Sequence, residues 1–383
     1  MIERTLTSKM VALTKTFQII TLTGPRQAGK TTLVRSAFPG LPYVSLEDPD
    51  IRQIAQTDPR GFLGNYPVGA VLDEVQNAPD LFSYIQRLVD ENRQMQFILT
   101  GSSNFLLMER ISQTLAGRTA VLHLLPLSFA ELEPGAEPYE SLIFKGRYPR
   151  IYDRGIAPTD FYPAYIQTYV EKDVRLLKNI GDSNAFIQFT RLCAGRIGQL
   201  LNYTSLANDA GISPNTAKAW FSILESSYVL YRLQPYHRNF NKRLVKSPKL
   251  YFYDTGVACS LLGIRDESQV NLHYLKGALF ENLIINEFIK RSFNRGENRQ
   301  SFFWQDNHRK EIDCLLVDGD RVAPVEIKSG RTMSTSYFDN LKYWRPLAQL
   351  PEDQGYVVYG GEQSMNTSLG ALISWRHLDL IPD

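Results

Sequence analysis

The sequence predicts an α/β chain of several modules, and three observations carry that prediction. A short apolar, β-branched run at residues 17–23 leads into Gly24-Pro25-Arg26-Gln27-Ala28-Gly29-Lys30-Thr31-Thr32, after which residues 32–38 keep helical character until Pro39-Gly40. The middle of the chain alternates apolar residues at helical spacing, including a helix–turn–helix rhythm over 206–220. The last third has apolar strand runs at 302–305, 310–317 and 321–328, the second and third joined by an Asp318-Gly319-Asp320 turn. The expected divisions are a nucleotide-binding α/β domain over 1–135, a helical linker over 136–180, a winged-helix domain over 181–250 and a second α/β domain over 251–383.

Composition narrows the class. A length of 383 residues supports two or three domains, and 43% hydrophobic with 21% charged residues is ordinary for a soluble globular protein. The formal net charge of +2 excludes a strong general attraction to nucleic acid or membrane, so any basic surface must be local. Cys193, Cys259 and Cys314 stand far apart without C-x-x-C spacing, which argues for reduced thiols in a cytoplasmic protein. Charges at Glu3, Arg4 and Lys9 break any signal-peptide pattern, and no apolar run approaches the ~20 residues of a membrane span.

Residues 1–16 have the pattern of a short amphipathic helix. The glycine-rich stretch that follows fits G-x-x-x-x-G-K-[ST] between a strand and a helix, the arrangement in which loop N–H groups and a helix N-terminus wrap a phosphate chain. Gly24 and Gly29 allow close backbone approach along Pro25, Arg26, Gln27 and Ala28. Lys30 is expected to reach the terminal phosphates of ATP, and Thr31, followed by Thr32, to ligate Mg²⁺. A strand at 43–46 and a helix at 50–63 come next. The apolar strand 68–74 then ends in Asp73-Glu74, where the first acid would hold the Mg²⁺ shell and the second would polarise the attacking water.

A helix starting near Pro79 buries Leu81, Phe82, Ile85, Leu88 and Val89. The strand at 97–100 runs into Gly101-Ser102-Ser103-Asn104. An extra strand here, with Glu74 beside Asp73, points to the additional-strand class of P-loop ATPases, in which the strand tip places a polar group near the γ-phosphate. Thr100, Ser102 and Ser103 are the candidates, and the sequence does not choose among them. After a helix at 105–116, Arg118 precedes a strand at 120–124, where AAA-class ATPases carry an arginine that completes a neighbour's site. Arg110 competes for that role, and a homo-oligomer is the expected partner arrangement.

The motifs GPRQAGKTT, VLDEVQ, LTGSSN, LAGR and PLSFAEL together resemble the AAA-type ATPases of bacteria and archaea that carry a carboxy-terminal domain of unknown function. The resemblance continues through YDTGVACSLLG, KGALFENLI and KEIDCLL…VEIKSG, and so spans nearly the whole chain. It implies nucleotide binding but no particular biological role. Arg147, in Lys145-Gly146-Arg147-Tyr148-Pro149, stands where relatives often have a second glycine.

Residues 161–180 follow helical spacing to Gly181-Asp182. In the segment 206–220, Gly211 makes a turn and Ser213 caps a helix with Pro214 in its first turn. That helix would present Asn215, Thr216 and Lys218. A strand at 229–233 and the acid-free run holding Arg238, Lys242, Arg243, Lys246 and Lys249 would form a basic wing. Two uses stay open: reading DNA, or docking protein as a scaffold.

On the last pair of strands, Glu326 and Lys328 share a face, and Asp313 joins them if register permits. Two carboxylates with a neighbouring lysine suit a divalent cation and an activated water. The set resembles the PD-(D/E)XK, restriction-endonuclease-like fold, in which Glu281 would match the supporting acid on the first helix. Asp313, Glu326 and Glu281 are therefore candidate metal ligands and Lys328 a candidate catalytic residue. The function expected from the sequence is an ATP-binding, ATP-hydrolysing AAA-type protein with a nucleic-acid-associated role. Its rivals are a nucleotide-regulated, metal-dependent DNA endonuclease and an ATP-dependent docking scaffold.

Overall fold

The computed structural model describes residues 2–102, 111–133, 135–174, 182–236, 245–297 and 299–382. Ser103, Asn104, Arg110, Gly181, Arg238, Lys242 and Arg243, named above, lie outside the described residues. Among the described residues no helix is long and apolar enough to cross a membrane.

The amino-terminal domain opens with α1 (Leu6–Leu13) and β1 (Ile19–Thr23), followed by α2 (Lys30–Ala37), β2 (Tyr43–Ser45), α3 (Pro49–Thr57) and α4 (Pro59–Gly64). β3 (Gly69–Asp73), α5 (Leu81–Glu91), β4 (Gln96–Gly101) and β5 (Thr119–His123) complete it. The five strands are all parallel in the order β2-β3-β4-β1-β5, so the strand expected to be an addition sits between β1 and β3. β1 and β3 are buried along their whole length, as strands covered on both faces must be. Alternation sends Ile19, Leu72, Phe97 and Leu99 towards Leu81, Phe82, Ile85 and Val89 of α5. It sends Ile20, Leu22, Val71 and Ile98 towards Leu6, Met10, Leu33 and Val34 of α1 and α2. Each such side chain contributes roughly 1.5–3 kcal/mol on burial.

The middle is helical: α6 (Tyr139–Lys145), α7 (Pro149–Asp153), α8 (Pro158–Tyr165), α9 (Ser183–Ala194), α10 (Tyr203–Ala210) and α11 (Pro214–Ser226). The helix expected over 161–180 starts as α8 and continues with π-helical turns through Ile166–Val174. α10 ends at Gly211 with φ 68°, and the Ser213 hydroxyl caps α11 by accepting from Thr216 N–H at 3.1 Å.

β6 (Leu230–Pro235) and β7 (Lys249–Phe252) pair antiparallel after α11, where the sequence predicts a wing. They do not stand free. α12 (Thr255–Leu261), α13 (Glu267–Leu272), α14 (Lys276–Asn294), β8 (Ser301–Gln305), β9 (Glu311–Asp318), β10 (Arg321–Lys328), α15 (Asp339–Ala348), β11 (Tyr356–Tyr359), β12 (Met365–Thr367) and β13 (Gly370–Ser374) follow. β6 pairs parallel with β8, so the hairpin ends an eight-stranded sheet ordered β12-β13-β11-β10-β9-β8-β6-β7. The physical reason is that Leu230, Tyr231, Leu233 and Pro235 of β6 are buried, and a strand so covered needs ladder partners for its backbone. The sheet therefore crosses the division expected at residue 250.

Several of the motifs without obvious chemistry hold the modules together. Glu287 of α14 accepts from Phe129 N–H at 2.6 Å, Lys290 donates to the Leu127 carbonyl at 3.0 Å, and Asn294 donates to the Ser128 hydroxyl at 3.3 Å. Asp254, in the YDTG segment, accepts from Arg147 N–H at 2.7 Å and from the Tyr162 hydroxyl at 2.7 Å. The Arg147 guanidinium stacks 4.8 Å above the Phe129 ring, a use of the longer side chain that glycine could not supply.

Candidate functional site

The sheet order brings the carboxyl ends of β1, β3 and β4 side by side, and the nucleotide-site candidates gather there. Gly24, at φ 153°, lies so close to β5 that a Cβ would fall 2.1 Å from the Leu124 carbonyl oxygen. Gly29, at φ 94°, is the left-handed residue from which α2 starts. The loop, Lys30, Thr31 and Glu74 line a cavity of about 1000 Å³, with Arg150 and Arg154 at α7 also in its wall.

Within it, Asp73 accepts from the Thr31 hydroxyl at 2.8 Å and from the Tyr43 hydroxyl at 2.5 Å through one oxygen. Its other oxygen accepts from Thr100, a fully buried residue. Glu74 sits in the left-handed region (φ 54°) and accepts from Ser102 through both its N–H, at 3.1 Å, and its hydroxyl, at 2.9 Å. Gln76 donates to the same Glu74 oxygen. Two candidates at the β4 tip thus have different work: Thr100 orients Asp73 and Ser102 orients Glu74. Lys30 turns its ammonium to the carbonyls of Gly24 and Pro25 at 2.8 and 2.9 Å. Burial lowers its pKa, with Glu74 and Asp73 pulling the other way.

This donor set fits a magnesium nucleotide. A hydroxyl and a carboxylate meet at 2.8 Å, a lysine beside them donates to two loop carbonyls, and the cavity has room for a nucleotide. Tyr43 carried no signal in the sequence beyond opening β2, because its contact with Asp73 arises from the β2–β3 pairing.

Arg118 is elsewhere. It donates through Nε and a terminal nitrogen to both oxygens of Asp90, at 2.7 and 2.9 Å, on the exposed surface. The adjoining Thr119 is level with Ile19, at the end of β1 opposite the P-loop. Arg118 therefore lies at the end of the sheet away from the P-loop of its own chain.

The carboxy-terminal candidates form a second cluster. Register Val325↔Cys314, continued by one residue, sets Asp313 level with Glu326, and Ile327 N–H donates to Asp313 at 2.7 Å. Lys328 bridges Asp313 at 3.2 Å and Glu326 at 2.6 Å. Glu281 and Asp313 do come together, within 4.8 Å, but their third partner is Glu311 rather than Glu326. Glu311 lies two residues before Asp313 on β9, so strand alternation was a signal that could have revealed it. Glu326 is fully buried, and its Oε1 has no hydrogen-bond partner among the described residues. Burial and Asp313 push Glu326 up to about 8, and burial pushes Glu281 up to about 7.

Lys249 corrects the expected basic wing. It is buried and forms ion pairs with Glu281, at 3.2 Å, and Glu311. Lys246, Asn215 and Lys218 are exposed. Cys193, Cys259 and Cys314 are all free and buried.

Comparison with known proteins follows the same modules. Residues 16–133 match the family model of an AAA domain, residues 136–268 a domain of unknown function (DUF8612), and residues 276–378 another domain of unknown function (DUF4143). An uncharacterized protein of Mycobacterium tuberculosis and one of Mycobacterium bovis are each 29% identical over 353 residues, covering 90% of this chain and 77% of theirs. Among solved structures, a Walker-type ATPase of Pyrococcus abyssi aligns at 13% identity and TM-score 0.45, covering 67% of this chain and 94% of its own. A signal-transduction ATPase with a tetratricopeptide repeat sensor from Pyrococcus horikoshii aligns at 12% identity and TM-score 0.23, covering 75% and 47%. The amino-terminal part of this chain thus has the loop and parallel strand order of a P-loop domain and, over residues 16–133, is similar to the AAA domain family.

Proposed function

We propose that this chain binds ATP with Mg²⁺ at the P-loop and hydrolyses it. The observation that carries this is the Thr31–Asp73 contact of 2.8 Å at the foot of the loop, with Glu74 on the next residue and held by Ser102. Backbone groups from Gly24 to Gly29 would wrap the phosphates, Lys30 would exchange its carbonyl partners for phosphate oxygens, and Thr31 and Asp73 would hold the ion. Bound Mg²⁺ supplies charge neutralisation for the transferred phosphoryl group. Glu74 would orient and deprotonate the attacking water, with Ser102 setting the carboxylate's direction. The test is turnover of ATP by purified protein with Mg²⁺ and with a chelator. An ATPase rate that survives removal of divalent ions, or no nucleotide binding at all, would end this proposal.

A second function is favoured by the carboxy-terminal cluster: a divalent-cation site that cuts DNA, regulated by nucleotide. Glu281, Glu311 and Asp313 lie within 4.8 Å of one another, and the fully buried Glu326 has an unpartnered oxygen beside Lys328. Exposed Asn215 and Lys218 at the start of α11 supply a modest surface for DNA. Plasmid and linear DNA incubated with Mn²⁺, with and without ATP, and with Lys328→Ala as control, test it. Metal-induced stabilisation without cleavage would leave a metal-holding docking module, and neither effect would leave a scaffold.

A further inference from the structure

Arg4 belongs to no motif and precedes the residues that match the AAA domain. Nevertheless it is 7% exposed and sits against the P-loop. Its guanidinium makes three directed contacts. One terminal nitrogen donates to the Ala28 carbonyl at 2.6 Å, the other to the Leu125 carbonyl at 2.6 Å, and Nε to the Glu131 carboxylate at 2.9 Å. A Cβ placed on Gly29 would lie 3.6 Å from the nitrogen that holds Ala28, so the arginine lies directly against that turn of the loop.

The contact with Ala28 has a geometric consequence. The Ala28–Gly29 peptide is planar and trans, so its carbonyl and the Gly29 N–H point in opposite directions. Tying the carbonyl to Arg4 therefore aims the Gly29 N–H away from Arg4. In a P-loop that N–H must face the phosphate chain, and a freely rotating peptide would spend part of its time reversed. The other two contacts fix the clamp itself. Leu125 follows Leu124, whose N–H donates to Thr23 at the end of β1 at 2.8 Å, so the clamp is referred to the sheet. Glu131 is anchored by Thr5 N–H at 3.0 Å and by Ser128 N–H and hydroxyl at 2.9 and 3.1 Å. Its negative charge offsets that of Arg4, so what remains for the loop is direction rather than charge.

We propose that Arg4 is a positioning residue of the nucleotide site, which orients the Ala28–Gly29 peptide for phosphate by a three-way guanidinium clamp. This rests on the proposal that the loop binds ATP, and the experiment separates the two. Affinity for MgADP is measured by calorimetry, and KM and kcat for MgATP by turnover, on the full chain well below its melting temperature. Arg4→Met and Arg4→Lys are each expected to weaken MgADP binding and raise KM by about ten- to a hundredfold, with a smaller change in kcat, because a charge-assisted bond set by a planar fork is lost. Arg4→Lys keeps charge and stem, so it guards against an unfolded Arg4→Met. A lowered melting temperature with unchanged affinity and KM would make Arg4 merely structural and overturn the proposal. Full activity of Arg4→Lys would overturn it too, by showing that charge alone suffices. Failure of the unaltered protein to bind MgADP would instead remove the ATP proposal beneath it.

Discussion

The two acidic clusters of this protein hold their carboxylates in opposite ways. At the P-loop, Asp73 and Glu74 are held by neutral donors, namely the hydroxyls of Thr31, Tyr43, Thr100 and Ser102 and the Gln76 amide. Their charge remains available, next to a cavity of about 1000 Å³. In the carboxy-terminal sheet, Glu281 and Glu311 share Lys249, and Asp313 and Glu326 share Lys328. Hydroxyls orient a carboxylate without consuming its charge, whereas a buried ammonium supplies the counter-ion from within the chain. The first cluster is therefore arranged for an external cation. The second carries its own partial substitute, and four acids against two lysines leave a deficit of charge that protons or a divalent ion can fill.

The largest expected effects break the first cluster. Glu74→Gln keeps the Ser102 contacts but removes the base, so turnover should fall by about 10²–10⁴-fold while MgADP affinity stays close to that of the parent. Lys30→Ala should show the reverse emphasis, weakening nucleotide binding by roughly a hundredfold or more, as calorimetry would reveal. Equal losses of binding in both variants would show that the two roles are not separate.

Next in size is the second cluster. Lys249→Met strands Glu281 and Glu311 without their buried partner and should destabilise the protein by about 3–5 kcal/mol in urea unfolding. Added Mn²⁺ should restore more of that loss than it adds to the parent, since the ion then replaces the ammonium. Equal metal effects on the two proteins would mean that Lys249 and a cation do not compete for the cluster.

The pH dependence of stability should have opposite signs in the two regions. His123 of β5 shares a hydrogen bond of 2.8 Å with the Tyr228 hydroxyl and packs on Phe293, and burial lowers its pKa to about 4. An unfolded histidine titrates near ~6.5, so the stability it contributes is present above that pH and lost as pH falls towards about 4. Glu281 and Glu326 are raised to about 7 and about 8, so their contribution is complete below the unfolded carboxylate range and lost as pH rises through those values. Urea midpoints should fall on both sides of a maximum. His123→Phe should flatten the acid arm and Glu326→Gln the alkaline arm, and a variant that changes the wrong arm would reverse the assignment. The smallest effect belongs to Arg118→Ala. Its pair with Asp90 is exposed, so melting should barely change. A fall in turnover that mixing with Glu74→Gln partly restores would place Arg118 at a neighbour's nucleotide.

Local chemistry in the sequence determined the strand–loop–helix around Lys30, the acids closing β3, the capped turn before α11 and the β9–β10 hairpin, because each depends on residues a few positions apart. The same locality explains why Lys30, Thr31, Asp73 and Asp313 could be named before any fold was known. Tertiary structure alone decided what those residues touch. Lys249 belonged by sequence to an acid-free basic run, yet β7 carries it into the sheet, where burial obliges its ammonium to find Glu281 and Glu311. β6 reads as one strand of a wing, but pairing with β8 makes it part of an eight-stranded sheet, a choice set by which apolar faces meet. Ser102 and Thr100 are two positions apart at a strand end, and only the insertion of β4 between β1 and β3 gives each its own acid to hold. Arg4 is the clearest case. Nothing near it in sequence marks it, and its partners Ala28, Leu125 and Glu131 are separated from it by 24, 121 and 127 positions. Periodicity and motif spacing report short-range geometry, whereas a buried guanidinium's partners are fixed by desolvation, which acts only once distant segments have packed.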